Sequence, residues 1–365
     1  MSYGGGDANT VRSFFGGTAQ AVNLGGQGGK PVGFMAAQVG NTGKDAGRRR
    51  ESDEGKSSER VVTAVRAREL RRSPIVVGDK VALVGDTSGK PDTLARLVRI
   101  EERTNLLRRS ADDTDPVERV VVANADNLVI VVAAENPEPR TGFIDRSLAA
   151  AFDAGLTPIL CITKTDLKHP TWLLDYYRDV ELTILLSKSK DGRAPSEEGS
   201  EGLDTTLVEQ LSEYLDGSVS VLLGHSGVGK STLVNALTGA ERATGHVNAV
   251  TGRGRHTSSS ALALQPQKSA PGTWIIDTPG IRSFGLAHVE PDTLVASFTD
   301  LAPGSANCPK GCTHSASAPD CGLTAYVEAG KAGPAGPERL ESLRKLLRVD
   351  EKTGDTEKEL GVVDL

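Results

Sequence analysis

Aromatic side chains are scarce, with Phe, Tyr and Trp making up 4% of the 365 residues. A surface that grips nucleic acid mainly by stacking bases on rings needs more of them, so stacking is expected to be minor here. Only four cysteines are present, which excludes a disulfide-built scaffold. No stretch approaches the ~18–20 consecutive apolar residues of a membrane-spanning helix. The chain opens on Gly, Asn and Ser rather than on the basic-then-apolar start of a secretory signal. These absences lead to the expectation of a soluble, cytoplasmic protein with no membrane partner. The formal net charge of −6 speaks against a polyanionic partner, but it is unevenly spread. Residues 60–109 hold twelve Lys/Arg against six Asp/Glu, so the rest of the chain carries −12. Local sign matters more than the total where a surface meets phosphate.

What is present changes texture along the chain. Residues 1–59 are rich in glycine, contain the run Arg48-Arg49-Arg50 and show little apolar periodicity, so they are expected to form a disordered tail. Short β-branched runs follow at Val61–Val65, Ile75–Val77, Lys80–Val84 and Leu94–Ile100, separated by Gly, Pro, Asp and Ser. They predict a small β-barrel over 60–115, abbreviated or with its first strand hidden before Arg60. From 116 to 290 strands alternate with helices. Val120–Val122, Leu128–Ala133, Pro158–Thr163, Leu182–Leu186 and Val219–Leu223 read as strands, and Phe143–Ala154, Trp172–Arg178 and Leu207–Leu215 as helices. Such alternation implies a parallel sheet covered on both faces. A Cys/His segment and an amphipathic helix occupy 291–350, and 351–365 form an acidic tail.

The strand Val219–Leu223 runs into Gly224-His225-Ser226-Gly227-Val228-Gly229-Lys230-Ser231, followed by the helix-like Thr232-Leu233-Val234. A G-x-x-x-x-G-K-S loop between strand and helix is a phosphate cradle. Its N–H groups and the helix N-terminus attract anionic oxygens. Lys230 would neutralise the β/γ-phosphates, and the Ser231 hydroxyl would ligate Mg²⁺. This loop alone leaves ATP and GTP both open.

Base recognition is predicted at Thr163-Lys164-Thr165-Asp166, at the end of the strand Pro158–Thr163. A carboxylate here can accept two hydrogen bonds from guanine N1–H and its exocyclic amine, a donor pair that adenine lacks. Lys164 can lay its stem over the purine and Thr163 can fix the loop. These residues fit the [N/T]-K-x-D guanine signature of GTPases. Ser187, followed by Lys188, stands where a second base-side loop would lie. In ordinary GTPases the guanine motif follows the phosphate loop; here it precedes it. Circular permutation permits this order if the original termini lie close together.

Downstream, Trp274-Ile275-Ile276 leads into Asp277-Thr278-Pro279-Gly280. Asp277 would hold Mg²⁺ through water and the Gly280 N–H would meet the γ-phosphate. The intervening Gly/Arg-rich stretch Thr251–Ser259 reads as a switch, with Thr257 capping Mg²⁺ only when GTP is bound. Ile281 occupies the place where many GTPases carry the water-orienting Gln. His256 is the local substitute, so intrinsic turnover should be slow until a partner completes the site.

Cys308, Cys312, His314 and Cys321 supply three thiolates and an imidazole within 14 residues, enough for a closed, structural zinc site. Beyond it, Leu340, Leu343, Leu346 and Leu347 form a helical stripe for packing.

Together these motifs resemble the ribosome small-subunit-dependent GTPase A family of circularly permuted bacterial GTPases. Thr163–Asp166, Gly224–Ser231, Gly254–Ser259, Asp277–Gly280 and the Cys308–Cys321 cluster carry the resemblance in that order. Pro74–Lys80, Val122–Asp126 and Gly280–Leu286 extend it. The resemblance implies an OB-like barrel, a permuted α/β P-loop GTPase domain and a C-terminal zinc-binding helical domain. It also implies a catalytic His256, and a monomer that uses GTP/GDP while maturing the 30S subunit on 16S rRNA. Its nucleotide contacts would span Thr163 to Asp166, Ser187, Gly224 to Thr232, Asp277 and Gly280. Three departures stand out: the first barrel strand is not recognisable, Thr257-Ser258 replaces Thr-Thr, and Ser187-Lys188 fits the base-side loop only loosely; the cysteine spacing is also slightly shifted. An RNA-associated module in which GTP gates binding without turnover, and an ATP-dependent P-loop kinase, are the rival readings.

Overall fold

The computed structural model describes residues 9–14, 34–39, 60–70, 73–88, 90, 92–110, 118–187, 205–239, 261–266, 268–278 and 285–347. Five strands, β1 (Asn9–Phe14), β2 (Phe34–Val39), β3 (Arg60–Arg66), β4 (Lys80–Gly85) and β5 (Ala95–Ile100), close into a barrel of order β1-β2-β3-β5-β4. The expectation of a disordered tail over 1–59 therefore fails for two stretches. Strand β1 pairs with both β2 and β4, and β2 also pairs with β3. Their order comes from barrel closure, a tertiary gain that composition averaged over 59 residues does not reveal. Val62, Ala64, Val81, Leu83, Ala95 and Leu97 fill the interior.

Ile75–Val77, expected as a strand, is reduced to a single bridge from Val77 to Val122, and Val76–Asp79 turns. The buried Asp79 carboxylate accepts the Val76 N–H (2.8 Å) and two bonds from Arg103 (2.6 and 2.9 Å), a local alternative to sheet pairing. A ribbon of β6 (Leu106–Arg109) and β7 (Arg119–Ala123) then leaves the barrel. The barrel is keyed onto it at Gly78, where a side chain would put Cβ 1.8 Å from the Ala123 carbonyl oxygen.

The second sheet contains β8 (Asn127–Ala133), β9 (Thr157–Thr163), β10 (Thr183–Leu186), β11 (Val219–Gly224), β12 (Leu262–Leu264) and β13 (Trp274–Asp277). Its order is β10-β9-β8-β11-β13-β12, and all neighbours are parallel except β12 with β13. Every residue of β8 and β11 is buried, as continuous apolar strands covered on both faces require. Helices α1 (Thr141–Asp153) and α2 (Thr171–Tyr176) cover one face, and α3 (Thr205–Leu215) and α4 (Lys230–Thr238) the other. Cys161 lies wholly inside β9, where burial pushes its thiol up to about 12.

The α1 face continues without a break into the C-terminal segment. Helices α5 (Pro291–Ser297), α6 (Gly322–Glu328) and α7 (Gly336–Leu347) contribute Leu294, Leu323, Leu340 and Leu343 to the core that holds Ile144 and Leu148. Leu346 and Leu347 pack at its margin, so the leucine stripe is a packing face. No helix among the described residues is long and apolar enough to cross a membrane.

The Gly78 contact makes a stability prediction. Gly78→Ala should cost about 1–3 kcal/mol, read as a lower Tm in scanning calorimetry. Gly272 shares a left-handed φ but faces open space, so Gly272→Ala should lose only about 1 kcal/mol. Equal losses would mean that backbone strain outweighs the Ala123 contact.

Candidate nucleotide site and metal cluster

Parallel strands bring the two predicted nucleotide loops to one edge. Strand β8 lies between β9 and β11, with Ala133 opposite Thr163 and Val131 opposite Gly224. The base loop therefore leaves β9, and the phosphate loop leaves β11, at the C-terminal edge of the sheet, where open α/β sheets bind ligands. The Thr163 hydroxyl donates to the Val228 carbonyl in the phosphate loop at 2.6 Å. Ser187 buttresses the base loop from β10: its Oγ accepts the Thr165 N–H at 3.2 Å, and its own N–H donates to Ile162 O at 2.9 Å. The Thr165 hydroxyl also donates to the Ser187 carbonyl. Asp166 is exposed at the outer end of the loop. Lys164 adopts a left-handed φ of 55° and donates to the Asn136 carbonyl.

In the phosphate loop Gly227 and Gly229 take φ of 85° and 88°, the turn that leads into α4. Lys230 is buried and ion-paired with Asp277 at the end of β13. The Thr278 hydroxyl donates to Leu222 O at 2.7 Å and fixes that strand end against β11. Both charges are 9% exposed or less, so each is satisfied by the other. Incoming phosphate would take Lys230, and its counter-cation would take Asp277. Ser231 and Thr232 lie half-buried at the start of α4. His256, Thr257 and Gly280 lie outside the described residues.

His225, expected among the nucleotide contacts, turns its ring toward α1, where the centroid sits 4.3 Å from that of Phe143. Its Nε2 is buried without a hydrogen-bond partner. Burial, then the Arg140 charge, hold its pKa below the usual imidazole value. The residue can therefore offer phosphate its backbone, while its ring serves packing.

Four ligand atoms of Cys308, Cys312, His314 and Cys321 lie within 4.8 Å of one another, and all four cysteines of the chain are free. His314 Nδ1 is 3.5 Å from Cys308 Sγ and 3.8 Å from Cys321 Sγ. Three thiols and an imidazole so gathered fit one tetrahedral divalent cation. The Gly322 N–H donates to Cys308 Sγ at 3.2 Å. That approach needs glycine, since a Cβ at 322 would fall 2.4 Å from Gly304 O. At Cys321 burial raises the thiol pKa. The Thr324 N–H, His314, the Thr324 hydroxyl and the Leu323 N–H outweigh it and bring the value to about 6. Burial chiefly pushes Cys312 the other way.

Sequence patterning missed a buried charge cluster. Arg339 on α7, 1% exposed, forks onto Asp300 at 2.8 and 2.9 Å and pairs with Asp145 on α1, itself 1% exposed. Tyr177 OH donates to Asp145 at 2.9 Å, and the Ser342 hydroxyl donates to the other oxygen. Burial raises the Asp145 pKa, against the pull of Arg339. The available signal was positional: Arg339 stands four residues before Leu343, on the apolar stripe itself.

Two measurements follow. Lys230→Met should weaken binding of fluorescent GDP about 10- to 150-fold, the worth of a charge-assisted bond; unchanged affinity would remove the phosphate from this loop. In the metal-free protein, thiolate absorbance should show a step near pH 6 that Cys321→Ser abolishes. Because this pKa is depressed, its stabilising contribution is complete above the unfolded thiol value. It is lost as pH falls through about 6. A first thiol step above pH 8 would contradict the assignment.

Known proteins resemble this chain in sequence and in fold. The profile of the RsgA GTPase family matches residues 100–287. A small ribosomal subunit biogenesis GTPase RsgA from Chlorobaculum parvum is 32% identical over 282 residues, 75% of this chain and 84% of the relative. The protein of the same description from Pseudomonas aeruginosa (strain LESB58) is 35% identical over 281 residues, 75% of each chain. Among solved structures, YjeQ from Thermotoga maritima aligns over 93% of this chain and 99% of its own, with a TM-score of 0.59 and 22% identity. YloQ, a circularly permuted GTPase, aligns over 93% and 95% with the same TM-score and identity. The chain belongs to the RsgA GTPase family.

Proposed function

We propose that this protein hydrolyses GTP in the service of small ribosomal subunit assembly, and that contact with the subunit speeds hydrolysis. The observation that carries the reading is the Thr163–Val228 hydrogen bond. It supports one nucleotide lying across both loops, with guanine at Asp166 and phosphates at Lys230. Membership of the family supports the chemistry, and the relatives named for small-subunit biogenesis support the setting.

On this reading Ser231, Asp277 and Thr257 hold Mg²⁺, which neutralises developing charge on the phosphate oxygens. Lys230 exchanges Asp277 for the β/γ-phosphates, and Gly280 meets the γ-phosphate. His256 orients the attacking water in place of the missing Gln at Ile281. The barrel acts as an OB-type module toward 16S rRNA. Arg66, Arg68, Arg96 and Arg99 are exposed on it, while Ala95 and Leu97 alternate inward. The Cys/His cluster holds a structural Zn²⁺ that staples the C-terminal segment, and the protein acts in the cytoplasm.

The test is GTP hydrolysis by purified full-length protein with and without small ribosomal subunits. Turnover should rise with subunits, and a flat response overturns the proposal. His256→Ala should lower stimulated turnover about 10²-fold or more while GTP affinity holds. Wild-type turnover in that variant would assign the attacking water to another group, whereas GTP binding without turnover in the wild type would favour the module in which GTP only gates binding.

A further inference from the structure

We propose that Arg339 is a positioning residue for the nucleotide site, acting on it through α1 from the C-terminal helix α7. Three sets of contacts meet on α1. At its N-terminal end the preceding segment touches the base loop and lies beside the phosphate loop: Asn136 O accepts Lys164 Nζ, and Pro137 Cδ lies 3.9 Å from where a Cβ at Gly227 would stand. In its first turn Phe143 supports the ring of His225, the second residue of the phosphate loop. Two residues further on, Asp145 is gripped from the opposite side by Arg339 and Ser342 of α7.

The grip is built for geometry rather than for charge alone. The guanidinium is shared between Asp145 and Asp300, and its carbon lies 4.4 Å from the Phe298 ring centroid and 5.3 Å from that of Tyr177. A planar fork that stacks and bridges two carboxylates cannot be replaced by a lysine ammonium. The other end of α7 is anchored on the metal loop. Arg344 Nε donates to His314 O at 2.9 Å, and its Nη2 to Thr324 Oγ1 at 2.8 Å. One rigid helix thus joins the Cys/His cluster to α1, and α1 joins α7 to the loops that hold base and phosphate. A shift of α7 must displace Asp145, and with it Phe143 and the seat of His225, because packed interiors transmit displacement rather than absorb it.

The inference rests on nucleotide binding at the Gly224–Ser231 loop. Wild-type affinity, measured first in the same assay, tests that reading separately. The experiment compares full-length wild type, Arg339→Lys and the milder Ser342→Ala, alone and combined with His225→Ala. Each is assayed for affinity for fluorescent GDP and for kcat against KM, at a temperature where calorimetry shows all of them folded. Arg339→Lys should weaken nucleotide binding about 3- to 30-fold, with Ser342→Ala in the same direction and smaller. Adding His225→Ala to Arg339→Lys should cost less than the sum of the single effects, because both act through Phe143 and α1. Hydrogen exchange should speed up at residues 224–229 in both α7 variants. A purely structural role predicts lower Tm with affinity within about twofold of wild type. That outcome, or additive losses with His225→Ala, overturns the proposal. If Arg339→Lys does not fold, Ser342→Ala decides by the same two criteria.

Discussion

One hydrogen bond of 2.6 Å, from the Thr163 hydroxyl to the Val228 carbonyl, joins two loops that chain order separates by 65 residues. The rest of the nucleotide site is arranged around it. Strand neighbours, not sequence neighbours, set which loops meet at a sheet edge, and β9 and β11 both flank β8. The same three strands would converge identically with the connections cut elsewhere. A permuted chain therefore keeps the geometry of recognition while changing which segments enter and leave it. Here β13, which ends at Asp277, is the last strand before the C-terminal helices that pack on α1.

That packing unites what composition divides. A leucine stripe and a cysteine cluster read as a separate small domain, yet Leu340 and Leu343 lie in the same core as Ile144 and Leu148. Within this core sit one guanidinium and two carboxylates, Arg339, Asp145 and Asp300, all buried. Buried charges of this kind are tolerated when every donor and acceptor finds a partner, as the fork, the tyrosine hydroxyl and the serine hydroxyl provide here.

The legible parts of the sequence were those whose chemistry is local. The Gly224–Ser231 loop, the Thr163–Asp166 turn and the Cys308–Cys321 spacing each declare themselves within about a dozen residues, because backbone cradles and chelates are made by short contiguous segments. The sheet was legible too, since fully buried strands such as Leu128–Ala133 leave unbroken apolar runs. What stayed hidden depends on distant partners. Strands β1 and β2 owe their order to closure with β3 and β4. Asp79, held by Arg103, takes the Val76 N–H and leaves only Val77 to bridge Val122. His225 fits a nucleotide motif by position, but the direction of its ring is decided by Phe143, 82 residues earlier in the chain. Arg339 escaped because a stripe read as leucines alone has no place for a cation at the same helical spacing.

The Lys230–Asp277 pair ties the phosphate loop to the end of β13. A carboxylate already sits against the lysine, so any anion that reaches Lys230 must compete with a tethered rival. A nucleotide that arrives with a divalent cation supplies a new partner for each half at once. On the proposed function, a nucleotide carrying its cation is thereby favoured over a simple anion before any base is read.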